Sequence, residues 1–234
     1  MSSPASGEVG DPGAPRAPLA MLFDLDGTLA DSEPLLARVQ LEVLRQRGFD
    51  VTAGDLAPLA STPFPQKVAA LGIPTPHEPL DEEYRRRYAD RLDETPLIDD
   101  AAALLAALHE RGTPCAIVSN KVEEGAVRLI DAFGWTPYFA VVTGRDTTAD
   151  GTRKPDPSPA RLVLERMGVA ARDAWFVGDA ADDMACGHAA GCGAVIGLTR
   201  THPEPELRAA GATHICRSLG EVAALLGLSI GAAT

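Results

Sequence analysis

No stretch of this chain is apolar for long enough to cross a bilayer. The longest such run, Ala101 to Leu108, falls far short of the roughly 20 residues a spanning helix needs. No two of the four cysteines, Cys115, Cys186, Cys192 and Cys216, form a Cys-x-x-Cys pair. A zinc site and a disulfide framework are therefore not expected, and reduced structural thiols in the cytoplasm are. Basic residues are also in deficit: 21 Lys and Arg stand against 33 Asp and Glu, for a net charge of −12. Such a chain repels a nucleic-acid backbone and an anionic membrane surface, so neither is expected as a partner. A small phosphorylated substrate is still allowed, because a local cation and a metal outweigh a distant field. The five histidines (His77, His109, His188, His202 and His214) lack metal-ligand spacing and are expected at surface or structural positions.

What is present is the composition of an ordinary globular protein, 234 residues with 45% hydrophobic and 23% charged. That length holds one large domain, or a core domain carrying a smaller insertion. Residues 1–18 are rich in Ser, Pro, Gly and Ala without a hydrophobic stretch, and read as a disordered arm rather than a signal peptide.

The most informative segment is Asp24-Leu25-Asp26-Gly27-Thr28. It follows the apolar run Leu19 to Phe23, which reads as a buried strand of a parallel sheet. The alternation of an extended chain puts Asp24 and Asp26 on one side, with Leu25 turned to the core. Gly27 permits a sharp exit, and Thr28 brings a hydroxyl nearby. Two carboxylates facing one point suit a nucleophile and an acid/base partner, with a divalent cation relieving their repulsion.

From Asp99 onward strands and helices alternate. Helices are expected over Asp99 to Arg111, Lys121 to Phe133, Ser158 to Met167 and Asp182 to Ala190. Strands are expected at Pro114 to Val118, Tyr138 to Val142, Ala174 to Val177 and Ala194 to Ile196, with a last strand and helix over Thr213 to Leu226. This pattern predicts an α/β fold, a doubly wound parallel sheet covered on both faces. Between the first strand and Asp99 the alternation stops. Helical spacing over Glu33 to Arg47, a short helix at Pro65 to Leu71 and a charged one at Asp81 to Leu92 predict a helical insertion. The domain reading is a core of residues 19–32 and 97–234, with residues 33–96 placed over the carboxylate loop as a lid. The run Asp81 to Arg87 reads as a solvated helix face with i,i+4 pairs.

Ligands of a parallel sheet bind beyond the carboxyl ends of its strands. The residues following the strands are Ser119, Asn120 and Lys121; Asp179, Asp182 and Asp183; and Lys154 within Arg153 to Pro157. With Asp24 and Asp26 they supply carboxylates, a hydroxyl, an amide and an ammonium around one point. That inventory fits a phosphate held by a cation and hydrogen-bond donors beside a metal held by carboxylates.

These residues resemble the motifs of the haloacid dehalogenase superfamily of phosphatases, over about Leu19 to Leu228. Asp24 to Thr28 is similar to its first motif, Ser119 to the second, Lys154 to the third, and Asp179 with Asp183 to the acidic fourth. The resemblance is closest to the phosphoglycolate phosphatase and β-phosphoglucomutase branch, in which the insertion is a helical cap. It implies that Asp24 is the nucleophile and Asp26 the acid/base. It implies Mg²⁺ on Asp24, the Asp26 carbonyl and Asp179, with Asp183 or Asp182 as the further acidic residue. Lys154, Ser119, Asn120 and Thr28 are implied at the phosphoryl group. The implied activity is hydrolysis of a small phosphorylated metabolite, 2-phosphoglycolate leading. A phosphosugar mutase and a non-catalytic phosphate sensor are the alternatives; related mutases usually carry a branched aliphatic residue where Thr28 stands. Ala180, Val122 and the glycine-free loop Ala60 to Pro65 depart from the branch pattern.

Overall fold

The computed structural model describes residues 17–59, 62–74, 76–148 and 150–231. The expected N-terminal arm, apart from Ala17 and Pro18, lies outside them, as do Ala60 and Ser61 of the glycine-free loop. The chain runs β1 (Ala20–Phe23), α1 (Glu33–Gln46), α2 (Ala53–Leu56), α3 (Phe64–Ala70), α4 (His77–Ala89) and α5 (Ala101–Glu110). It continues β2 (Cys115–Val118), α6 (Glu123–Ala132), β3 (Phe139–Thr143), α7 (Ser158–Met167), β4 (Ala174–Gly178) and α8 (Ala181–Ala190). It closes with β5 (Ala194–Leu198), α9 (Glu204–Ala209), β6 (His214–Cys216) and α10 (Leu219–Leu225).

The six strands form one sheet, in the order β3-β2-β1-β4-β5-β6, with every neighbouring pair parallel. The four residues of β1 are all fully buried, which explains their unbroken apolar sequence. Met21 and Phe23 pack with α5, α6 and α10, including Leu104, Leu129 and Val222. Ala20 and Leu22 face the other way, onto Val163 of α7 and Cys186 of α8. The sheet is thus covered on both faces, the doubly wound arrangement expected. β1 lies between β2 and β4, where the winding changes direction, so a crevice opens beyond its carboxyl end.

The element limits shift for local reasons. α5 starts at Ala101 rather than Asp99, because Asp100 sits in the left-handed region at φ 68°. α6 starts at Glu123 rather than Lys121, because Val122 is extended (ψ 142°). α4 runs from His77 to Ala89 rather than Asp81 to Leu92, and carries the i,i+4 pairs Asp81–Arg85 (2.7 Å) and Arg86–Asp90 (3.9 Å). α2 and α9 were not expected; at four and six residues they are too short to show a helical period.

Among the described residues, none between β1 and β2 joins the sheet. This segment leaves and rejoins the core at one place. The Asp31 N–H donates to the Pro96 carbonyl (2.8 Å), and the Ile98 N–H to the Leu29 carbonyl (3.0 Å). It has its own apolar cluster, built from Val43 and Leu44 of α1, Leu56 of α2, Phe64 and Val68 of α3 and Leu80 of α4. Lys67 is buried at its edge, donating to the Gln40 side-chain oxygen Oε1 (3.1 Å). Phe64 is 3% exposed and lies 4.9 Å from the Tyr84 ring, so it supports the segment rather than pointing freely from a loop. Phe64→Ala should destabilise the segment by about 3 kcal/mol. Hydrogen exchange should then speed up over residues 33–96 before the sheet; uniform acceleration would defeat this reading. Among the described residues, no helix is long and apolar enough to cross a membrane.

Candidate active site

The β1 ladder does not stop at Phe23. The Asp24 N–H donates to the Val177 carbonyl (2.9 Å), which holds this carboxylate at the mouth of the crevice. Leu25 is fully buried, and Asp24 and Asp26 both line the cavity beyond the strand ends, of about 590 Å³. Gly27 turns the chain at φ 90°, and a Cβ there would lie on the Asp179 carboxylate, so both conformation and space require glycine.

Lys154 reaches the same point from the loop after β3. Its ammonium lies 2.5 Å from Asp24 Oδ1 and 2.6 Å from Asp183 Oδ1, and the side chain is 4% exposed. Asn120 fixes that loop with a two-way bond: its Nδ2 donates to the Lys154 carbonyl (3.1 Å), and its Oδ1 accepts from the Lys154 N–H (3.0 Å). The Asn120 side chain thus holds the Lys154 backbone through both its amide oxygen and its amide nitrogen. Ser119 Oγ accepts from the Lys121 N–H (3.1 Å), which frees its O–H to donate into the cavity it lines.

Thr28, expected at the phosphoryl group, is fully buried, and its hydroxyl donates to Asp179 Oδ1 (3.1 Å). That corrects its place: it orients a carboxylate from below the cavity. Of the two candidates in α8, Asp183 is 2% exposed whereas Asp182 is exposed at the rim. Asp183 Oδ2 accepts from the N–H groups of Asp179 (3.1 Å) and Ala180 (3.0 Å), so the first turn of α8 aims its other oxygen at Lys154.

Asp24, Asp179 and Asp183, all buried, each offer a carboxylate oxygen, and these oxygens lie within 4.8 Å of one another. Burial raises Asp24 well above the usual carboxylate range; Lys154 opposes that shift, and Asp183, Asp179 and Asp26 add to it. Burial also raises Asp179, against hydrogen bonds from Thr201 and Thr28. Burial disfavours the Lys154 charge, but Asp183 and Asp24 outweigh it and hold the ammonium protonated. One ammonium among three buried carboxylates leaves negative charge uncompensated. An all-oxygen donor set with that deficit fits a hard divalent cation such as Mg²⁺. The Asp26 side chain is not part of this cluster: Ser32 donates to its Oδ1, and Lys121 Nζ lies 3.2 Å from the same oxygen.

Residues 21–196 match the family model described as haloacid dehalogenase-like hydrolase. The chain belongs to this family. A curated relative from Xanthomonas campestris pv. campestris (strain 8004), named phosphoglycolate phosphatase, is 36% identical over 191 residues, covering 78% of this chain and 84% of the relative. The crystal structure of CbbY from Rhodobacter sphaeroides in complex with phosphate superposes with a TM-score of 0.71 at 26% identity, covering 90% of this chain and all of that one. A Thermotoga maritima structure with a provisional β-phosphoglucomutase name has a TM-score of 0.77 at 21% identity, covering 89% and 96%, and speaks for the fold alone. Within the haloacid dehalogenase-like hydrolases the chain is of the phosphatase type.

Three residues of this hydrolase site, Arg200, Thr201 and His202, are not placed there by the sequence, and Lys121 gains a partner there that its strand-end position does not reveal. Thr201 donates to Asp179 Oδ2, and the His202 Nδ1 lies 3.1 Å from the Asp179 carbonyl oxygen. His202 is thus at the site, not merely a surface histidine. Arg200 faces Asp31 at 3.9 Å, and Lys121 pairs with Asp26. Arg200, Thr201 and His202 follow β5, so testing that strand's carboxyl end like the others finds all three.

Proposed function

We propose that the protein is an Mg²⁺-dependent phosphomonoester hydrolase of small phosphorylated metabolites that works through an aspartyl-phosphate, with 2-phosphoglycolate the first substrate to test. The observation that carries this reading is the Asp24 carboxylate, buried at the crevice mouth against Lys154 and beside two further buried carboxylates. The Asp24 oxygen attacks phosphorus and forms an acyl phosphate, dividing one difficult displacement into two. Asp26 gives a proton to the departing oxygen and then takes one from the water that cleaves the intermediate. Lys154 and the Ser119 hydroxyl stabilise the phosphoryl oxygens, with Asp183 and Asn120 holding Lys154 in place. Mg²⁺ on Asp24, Asp179, Asp183 and the Asp26 carbonyl supplies the charge neutralisation that lets a carboxylate approach a phosphate dianion.

Residues 33–96 serve as a cap over this chemistry in the same reading. Its support is the separate apolar cluster and the single place where the segment leaves and rejoins the core. The name of the Xanthomonas relative supports 2-phosphoglycolate. Four free cysteines support a cytoplasmic setting. Phosphate release with Mg²⁺ from 2-phosphoglycolate and from β-glucose 1-phosphate tests the whole. Conversion of the sugar phosphate to its isomer without free phosphate makes the protein a mutase; binding without turnover makes it a sensor.

A further inference from the structure

Beside the catalytic cavity lies a second one of about 490 Å³, between α4 on one side and α6 with the loop after β3 on the other. Leu36 and Lys121 line both, so the second cavity continues from the first. Its volume is within the range of pockets that enclose a drug-sized ligand, roughly 300–1,000 Å³. One wall is aromatic: Tyr84 packs 4.9 Å from Phe64 and stacks on Tyr88 at 6.2 Å. Burial pushes the Tyr84 phenol up to about 12, so this wall stays uncharged.

The rim is cationic. Arg85, Arg86, Lys121, Arg128 and Arg145 outnumber Asp81 and Glu124, in a protein whose net charge is −12. Arg85 is taken up by Asp81 at 2.7 Å. Among the described residues the Arg128 side chain donates only to the Ala89 carbonyl (3.3 Å), and no carboxylate pairs with Arg145. Lys121 stands at the junction, 3.2 Å from Asp26 Oδ1 and 5.0 Å from the centre of the Tyr88 ring. A local excess of cations against the sign of the whole protein marks a place for an anion.

We propose that this cleft holds the leaving group, and that the preferred substrate is a phosphomonoester whose leaving group carries a flat apolar ring and a second anionic group. The ring covers Tyr84 and Tyr88, the anion meets Arg128 and Arg145, and the phosphoryl group sits at Asp24. A two-carbon acid leaves the aromatic wall uncovered. The inference rests on the phosphomonoester-hydrolase reading and adds the substrate class to it.

Steady-state kinetics with Mg²⁺ on benzyl phosphate, 4-carboxybenzyl phosphate and 2-phosphoglycolate test it, because the methylene insulates the leaving oxygen from the ring substituent. In the wild type the carboxylated ester should have a KM about tenfold below that of benzyl phosphate. Arg145→Glu, on a half-exposed loop residue, should erase that difference. Tyr84→Ala should raise KM for both benzyl esters relative to 2-phosphoglycolate. Equal KM values for the two benzyl esters in the wild type, or a carboxylate advantage that survives Arg145→Glu, overturn the cleft assignment and leave the hydrolase reading standing. If none of the three esters releases phosphate, the hydrolase reading falls and takes this inference with it.

Discussion

Asp24→Asn should lower turnover by at least about 10³-fold while leaving the fold intact, since loss of a covalent nucleophile removes the pathway rather than one contact. The amide fills the same space but supplies no attacking anion. The surrounding geometry makes this variant a clean test. Lys154 keeps its partner Asp183 at 2.6 Å, so no buried ammonium is stranded. Burial already disfavours the charge on Asp24, so a neutral side chain there removes a cost. The metal-free variant should therefore melt no lower than the metal-free wild type. Phosphate release near the wild-type rate would reject Asp24 as nucleophile. A collapse of the melting temperature would instead show that the carboxylate holds the crevice together.

The core of the fold was legible because its signals are local. Each central strand is a short apolar run, and the polar residues after it land at one sheet edge whatever the helices do between. Asp24, Asp26, Ser119, Lys154, Asp179 and Asp183 therefore come out of the sequence as one group. What stayed hidden depends on side-chain direction. Thr28 is one residue beyond Gly27, and only the φ 90° turn there decides that its hydroxyl meets Asp179 from inside the protein. Asp182 and Asp183 are adjacent, and the N–H groups at the start of α8 select the second. Lys121 was marked only as a strand-end residue; its bond to Asp26 joins segments 95 residues apart in sequence, which spacing does not encode. The charged run of α4 forms i,i+4 pairs, as its spacing predicts. Its inner side, with Tyr84 and Tyr88 facing the cleft, was masked by those charges.

Removing the divalent metal should abolish turnover and also expose a loss of stability at high pH contributed by the site. Asp24 and Asp179 both have carboxyls raised by burial, while the unfolded chain titrates near 3.8. Between that value and the raised ones the folded state binds more protons than the unfolded state. Stability from these two groups is then greatest at acid pH, and falls as pH rises through their folded values. A cation bound only by the folded state offsets the loss, adding about 2.7 kcal/mol at a hundredfold excess over its Kd. Thermal melts at pH 5 and pH 8, with chelator and with Mg²⁺, should thus show a larger Mg²⁺ gain at pH 8. Self-repulsion of a chain of net charge −12 also weakens the fold at high pH, so the variant comparison decides the cause. Asp179→Ala removes one carboxylate of the cluster, and should lose most of the Mg²⁺ gain together with turnover. Full activity in excess chelator would reject the metal requirement. An undiminished Mg²⁺ gain in Asp179→Ala would move the cation elsewhere, because Asp24 and Asp183 without Asp179 do not supply the donor set a hard cation needs.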